Sequence, residues 1–228
     1  MKGIILAGGM GTRLSPLTQV TNKHLLPVFD RPMVDYPMNC LITAGIDEIM
    51  IVTGGEHAGD FLKLMGNGER LGLKHLNYTY QKGHGGIAEA LGLCEHWADG
   101  DAICVILGDN IFEYQLAPGL RRFAANPDGA MVFLKEVHDP ERFGVATLEE
   151  ESVVKIVEKP ERPETNWAVT GAYCYDAKVF DIIKTLKPSS RGELEITDVN
   201  NAYLKSGNLQ AHKLAGWVAA ATSLVYPG

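Results

Sequence analysis

The chain has 228 residues, 46% of them hydrophobic and 21% charged, enough to bury a substantial core in one large domain or two closely joined lobes. A net charge of −7 argues against a nucleic-acid partner, so any phosphate recognition must come from a few cations focused in a cleft. No apolar run approaches the roughly 20 residues that cross a bilayer, and Met1-Lys2-Gly3-Ile4 carries no signal-peptide pattern, so a cytoplasmic protein with no membrane partner is expected.

Short apolar runs rich in β-branched residues alternate with helical stretches. In chain order, strands are predicted over Gly3–Ala7, Glu48–Thr53, Leu76–Gln81, Ala102–Leu107, Ala130–Val137, Val145–Leu148, Val153–Glu158, Ala168–Tyr175 and Leu209–Leu214. Helices are predicted over Pro32–Ala44, Ala58–Met65, Ile87–Trp97, Ala117–Ala125, Ala177–Leu186 and Glu193–Ser206. The pattern is that of an α/β fold, a Rossmann-like three-layer α/β/α arrangement around a central mixed, mostly parallel sheet. Residues 1–129 are the purer βαβ array. After Ala130 strands follow one another more closely, so residues 130–228 are expected to form a second lobe that extends the same sheet within a single domain. Cys40, Cys94, Cys104 and Cys174 include no C-x-x-C pair, and the histidines show no paired metal spacing, so buried free thiols are expected and no zinc site.

The first strand runs into Gly8-Gly9-Met10-Gly11-Thr12-Arg13-Leu14. Glycines there let consecutive backbone N–H groups close around an anion, and Arg13 adds a forked, permanently charged donor. The dinucleotide fingerprint would need glycine where Leu14 stands, and the P-loop would need a Gly-Lys-Ser/Thr end that is absent. A second cation, Lys23, follows in Lys23-His24-Leu25-Leu26-Pro27-Val28. Ligands of such sheets gather beyond the carboxyl ends of the strands. There Gly108-Asp109-Asn110-Ile111-Phe112 places a carboxylate suited to Mg²⁺, which takes one or two protein carboxylates and leaves its other positions to water and phosphates. Gln81, at another strand end, has an amide that can pair with the imide edge of a pyrimidine. Taken singly, a helix-capping aspartate and an edge-strand glutamine are the ordinary roles of such residues.

The stretch Leu6–Pro27 resembles L-A-G-G-x-G-T-R-L-x-P-x-T followed by K-x-L-L-P-V, the signature of the nucleotide-sugar pyrophosphorylases. The resemblance implies that Leu6, Ala7, Gly8, Gly9, Gly11, Thr12, Arg13 and Gly108 surround a nucleoside triphosphate, that Arg13 and Lys23 neutralise its phosphates, and that Asp109 holds Mg²⁺. Gln81-Lys82-Gly83-His84-Gly85-Gly86-Ile87-Ala88-Glu89-Ala90 is similar to Q-x-x-x-x-G-L-A-x-A of the thymidylyltransferase branch, in which residues matching Gln81 and Gly86 hold the base; His84-Gly85 depart from it. Asp139-Pro140-Glu141-Arg142-Phe143-Gly144-Val145, Glu158-Lys159-Pro160, Val169-Thr170-Gly171 and Leu186-Lys187-Pro188-Ser189-Ser190-Arg191-Gly192-Glu193-Leu194-Glu195-Ile196-Thr197-Asp198 resemble the family's sugar-phosphate motifs. They imply that residues 1–129 are a nucleotide-binding core and residues 130–228 a sugar-binding lobe, with a second half-site of Asn110, Gly144, Glu158, Lys159, Val169, Gly171 and Arg191. Ser190 and Glu193 also have the spacing of a capping box.

The implied substrates are dTTP and glucose 1-phosphate, the products dTDP-glucose and pyrophosphate, and the implied assembly a homo-oligomer. A hexose 1-phosphate is already an anionic nucleophile, which suits a chain with no Ser/His/Asp or Cys/His set. The reaction needs two polyanions aligned and neutralised, and Arg13, Lys23, Asp109 and Lys159 are the expected catalytic groups. One departure stands out: the family carries a second metal aspartate in W-x-D-x-G, whereas here Trp217-Val218-Ala219-Ala220 puts alanine there. A catalytically impaired nucleotide-sugar-binding or regulatory protein is therefore an alternative. So is a uridylyltransferase using UTP, since thymine differs from uracil by one methyl group, worth only about 1–3 kcal/mol in a hydrophobic pocket.

Overall fold

Alternate residues of the first strand face opposite ways and both faces are dry: Ile4, Ile5 and Ala7 are fully buried, and Leu6 nearly so. That is the signature of a central parallel strand covered on both sides. The computed structural model describes residues 1–9, 11–113 and 116–220, and of Arg13 only the backbone.

In chain order the elements are β1 (Lys2–Ala7), β2 (Pro27–Val28), β3 (Arg31–Pro32), α1 (Asp35–Thr43), β4 (Glu48–Gly54), α2 (Ala58–Met65) and β5 (His75–Gln81). They continue with α3 (Ile87–Gly92), α4 (Glu95–Ala98), β6 (Ile103–Leu107), β7 (Asn110–Phe112), α5 (Ala117–Ala125), β8 (Ala130–Glu136), β9 (Gly144–Glu149) and β10 (Ser152–Glu158). The last are β11 (Trp167–Tyr175), α6 (Val179–Thr185), α7 (Ile196–Lys205), β12 (Leu209–Lys213) and β13 (Val218–Ala220).

Among the described residues, one nine-stranded sheet organises the chain. β5, β4, β1 and β6 lie side by side in parallel, and β11 pairs antiparallel with β6. β8 and then β12 continue beyond the other edge of β11, while β9 and β10 join beside its first residues. Every strand of this sheet except β10 and β11 runs in one direction. Ile4, Leu6, Val52 and Val105 pack with α3, α4, α6 and α7 on one face. Ile5, Ala7, Ile51 and Ile106 pack with α1, α2 and α5 on the other. The three-layer α/β/α arrangement follows from that alternation.

β11 changes neighbour half-way along one edge. Ala168 and Val169 pair with β9, and Ala172–Tyr175 pair with β6. Between them, at Thr170 and Gly171, the carboxyl end of β6 and the first residue of β9 leave a split in the sheet.

Three predicted elements differ from what forms. The Pro32–Ala44 helix starts at Asp35, because Arg31 and Pro32 are taken up in a ladder with Pro27 and Val28. The Ile87–Trp97 helix is two helices, interrupted at Leu93 and Cys94. The capping box does not form: α7 starts at Ile196, and the chain before it is a loop in which the Ser189 hydroxyl donates to the Glu195 carboxylate at 2.7 Å. The four cysteines are buried and free. No helix among the described residues is long and apolar enough to cross a membrane.

Candidate active site

The parallel strands β1, β4, β5 and β6 end on the same side of the sheet, and each contributes to one crevice. Leu6 and Ala7 close β1, and the Gly108 N–H donates to the Leu6 carbonyl at 2.9 Å, which holds the two strand ends together. Gly11 has φ +64, a left-handed conformation that turns the loop and that side chains rarely adopt. Thr12 opens the following 3-10 turn and is exposed.

Lys23 lies along this loop. A Cβ on Gly11 would stand 2.8 Å from the Lys23 Cβ, and one on Gly9 would stand 3.2 Å from its Cε, so the missing side chains are what let the lysine stem lie flat. Its ammonium reaches the Asp109 Oδ2 at 2.5 Å, and both side chains are only 17% exposed. The Asn110 amide donates to Asp109 Oδ1 at 2.9 Å. Burial works to raise the Asp109 carboxyl, but Lys23, His24 and Asn110 outweigh it and hold it below the ordinary carboxylate range.

His24 backs the pair. Asn22 Oδ1 accepts from the His24 backbone N–H at 3.0 Å and lies 2.6 Å from its Nδ1, so Nδ1 must carry the ring proton. Burial, and then the adjacent Lys23 charge, pushes this imidazole down from 6.5 to about 3, against a smaller upward pull from Asp109. His24 is a neutral structural wall against Gly108.

Gln81 ends β5 and is buried. Its Nε2 donates to the Gly86 carbonyl at 3.1 Å and to the Glu89 carboxylate at 2.6 Å, while its Oε1 is turned toward Gly8. Gly86 has φ +96, and a Cβ there would stand 2.5 Å from the Leu194 carbonyl oxygen. Leu194 N–H donates to Gly85 at 2.7 Å, and Ala88 N–H donates to Leu194 at 3.1 Å. The predicted base loop and the loop before α7 are therefore laced together through their backbones.

The predicted sugar-side residues gather around the split in the sheet. Asn110 Oδ1 accepts from the Gly171 N–H at 3.3 Å, tying the end of β6 to the middle of β11. Gly144 pairs with Val169 across the β9–β11 ladder and faces the Thr197 hydroxyl and the Glu158 carboxylate. Glu158 Oε2 accepts from Thr197 Oγ1 at 2.6 Å. Lys159 follows with φ +41, an uncommon conformation for a residue with a side chain and one that clusters at functional sites. Its N–H donates to the Phe143 carbonyl at 2.9 Å. Arg191 is held by carboxylates, at 2.8 Å from Glu195 and 3.4 Å from Glu158. The Arg13 side chain lies outside the described residues.

Sequence reasoning missed three contributors: Thr197, His24 and Asn22. Thr197 stood inside a quoted motif, but its contact with Glu158 spans two motifs. The sequence departure at the tail falls beside the crevice. β13 pairs antiparallel with β7, setting Ala220 opposite Asn110 and Ala219 opposite Ile111. Among the described residues no three His, Cys, Asp or Glu side chains gather in a metal-binding group. One carboxylate suffices for a hard cation that keeps its other positions for water and phosphate, so Asp109 fits a divalent metal. A separate open groove of about 840 Å³ between β10 and α7 contains none of these residues.

The family profile described as nucleotidyl transferase matches residues 2–218. The chain belongs to the nucleotidyl transferase family. A glucose-1-phosphate thymidylyltransferase of Neisseria meningitidis is 46% identical to this nucleotidyl transferase over 94% of the chain and 75% of its own length. One of Mycobacterium tuberculosis is 42% identical over 94% of the chain and 75% of its length. A Bacillus anthracis protein assigned as a glucose-1-phosphate thymidylyltransferase, solved with sucrose, is 51% identical, superimposes with a TM-score of 0.93 and covers 97% of the chain and 90% of its own. A UDP-glucose pyrophosphorylase with UDP-glucose has a TM-score of 0.81 at 24% identity, covers 98% of the chain and 94% of its own, and shares the fold. Nucleotidyl transferases of this family generally depend on a divalent metal.

Proposed function

We propose that the chain forms dTDP-glucose and pyrophosphate from dTTP and glucose 1-phosphate. The observation that carries this reading is the meeting of Lys23 and Asp109 under the glycine loop: a phosphate-neutralising cation and a metal carboxylate share one crevice at the ends of β1 and β6. The names of the relatives support thymidylyl transfer over the uridylyl and non-catalytic alternatives.

In this reading the backbone from Leu6 to Thr12, with Arg13 and Gly108, surrounds the triphosphate. Gln81 and Gly86 hold the thymine. Asn110, Gly144, Glu158, Val169 and Gly171 receive the sugar, Glu158 accepting from its hydroxyls, and Lys159 and Arg191 face its phosphate. The sugar phosphate supplies its own anionic oxygen, which attacks the α-phosphorus in line as pyrophosphate leaves. No side chain need remove a proton. Lys23, Arg13 and Lys159 reduce the repulsion between the two anions and stabilise the charge that builds on the transferring group. Mg²⁺, held by Asp109 with water and phosphate oxygens, would supply further charge neutralisation.

A pyrophosphate-release assay with dTTP, glucose 1-phosphate and Mg²⁺ tests the proposal. Turnover with dTTP preferred over UTP is expected. Measurable dTDP-glucose binding without turnover would overturn it in favour of a non-catalytic nucleotide-sugar-binding protein.

A further inference from the structure

The assigned Gln81 role leaves one question open, namely which edge of its amide faces the ligand. A primary amide can present an acceptor or, turned by half a rotation, a pair of donors, and the two choices suit different bases. Both partners of the Gln81 nitrogen are acceptors: the Gly86 carbonyl oxygen at 3.1 Å and the Glu89 Oε2 at 2.6 Å. An amide oxygen in that place would face two oxygens. The nitrogen is thereby fixed inward, and Oε1 is fixed toward Gly8, where the absent side chain leaves it room: a Cβ there would stand 2.9 Å from it. Among the described residues no group donates to that oxygen.

We propose that Glu89 is a positioning residue that sets the base preference of this site, by locking Gln81 so that only its acceptor oxygen faces the nucleotide. The inference rests on the thymidylyl-transfer reading. A thymine or uracil ring carries a hydrogen on N3 and can donate it to Oε1. A cytosine ring carries a lone pair there, so the locked oxygen meets an acceptor and the pairing fails. The carboxylate is needed because the Gly86 carbonyl holds only one of the two amide hydrogens. Without Glu89 the second hydrogen is unpaired, and the half-rotation that would present a donor to cytosine costs one contact instead of two. The Glu89 carboxylate is packed over Gly85, where a Cβ would overlap it, so the lock also depends on the first of the two adjacent glycines, Gly85 and Gly86.

The test compares kcat/KM for dTTP, dUTP and dCTP, at fixed glucose 1-phosphate, in wild type, Glu89→Leu and Glu89→Gln. dUTP shares the imide of dTTP and serves as the control for the rest of the pocket. In Glu89→Leu the dTTP/dCTP ratio is expected to fall by about tenfold, with the dTTP/dUTP ratio unchanged. Glu89→Gln, which can still accept through its own amide oxygen, is expected to restore most of the preference. A merely structural role would lower all three substrates together and leave both ratios in place, and that result would overturn the proposal. Wild-type protein that neither binds nor uses dTTP would overturn the thymidylyl-transfer reading instead.

Discussion

The Lys23 ammonium and the Asp109 carboxylate meet at 2.5 Å although they belong to segments far apart in sequence. The glycine loop makes the meeting possible by giving up the volume its side chains would occupy, and the end of β6 brings the carboxylate to it. Each charge is the other's main compensation in a buried place. Removing one therefore does more than delete a contact.

Lys23→Met and Asp109→Asn are each expected to lower kcat by about 100- to 1,000-fold, the scale for removing one electrostatic stabiliser of a developing charge. Pyrophosphate release under saturating substrates measures it. Lys23→Met also removes the largest of the influences that hold the Asp109 carboxyl down, leaving Asn110 and His24 against burial, so that carboxyl moves upward. Activity within about threefold of wild type in either variant would mean that the pair is only structural.

His24 gives the protein a stability dependence on pH of definite sign. Its imidazole is held down to about 3 when folded and returns to 6.5 when unfolded, so below 6.5 the unfolded chain binds the extra proton. The neutral form's contribution is complete above 6.5 and is lost as the pH falls from there toward 3. Urea unfolding is expected to show a loss of about 2 kcal/mol between pH 7 and pH 5 from this group, on the order set by linkage. His24→Gln should remove that part of the slope, leaving the carboxylates' part in place.

Glycines in this chain are not equivalent. Gly86→Ala places a Cβ against the Leu194 backbone from a left-handed conformation, and neither the carbonyl nor φ +96 can give way cheaply. A loss of at least about 1–3 kcal/mol is expected, with dTTP binding impaired. Gly59, inside α2, has open space where its Cβ would be. Gly59→Ala should stabilise the protein by about 0.5–1 kcal/mol. Thermal midpoints of the two variants should move in opposite directions.

Ala219 sits on the strand paired with β7, two residues beyond Asp109 in the ladder's register. Ala219→Asp is expected to lower the Mg²⁺ concentration for half-maximal activity by about tenfold. A metal titration of pyrophosphate release reads this directly. An unchanged midpoint would place the second carboxylate elsewhere.

Thr197→Val removes the donor that fixes Glu158 without adding bulk. KM for glucose 1-phosphate is expected to rise about fivefold, the scale of one lost hydrogen bond of about 1 kcal/mol, with KM for dTTP unchanged.

All nine strands of the central sheet were legible, because buried strands such as Ile103–Leu107 are apolar on both faces and end at glycine or a charge. β2, β3, β7 and β13 were not. Each has two or three residues, too few for any periodicity; β2 and β3 pair with each other across a tight turn, and β7 and β13 come together from distant parts of the chain. The same limit applies to the site. Asp109 announced itself as a carboxylate at a strand end and Lys23 as a cation within the motif, whereas Thr197 joins the site through a contact to Glu158 that no local window contains. Ser190 and Glu193 had the right spacing for a cap, but Leu194 is drawn into hydrogen bonds with Gly85 and Ala88, and that tertiary pairing keeps the chain extended until Ile196.

The backbone lacing of Leu194 to the Gly85–Ala88 turn has a consequence for folding order. Closing contacts between chain segments so far apart costs loop entropy that must be offset before the contacts form, so they are late events. The end of the crevice proposed to take the nucleotide, although its motif residues all lie in the first half of the chain, is thus finished only by the second half. In the proposed reading, a nascent chain that has emerged as far as β7 carries every residue assigned to the triphosphate and the base except the wall that holds them in place.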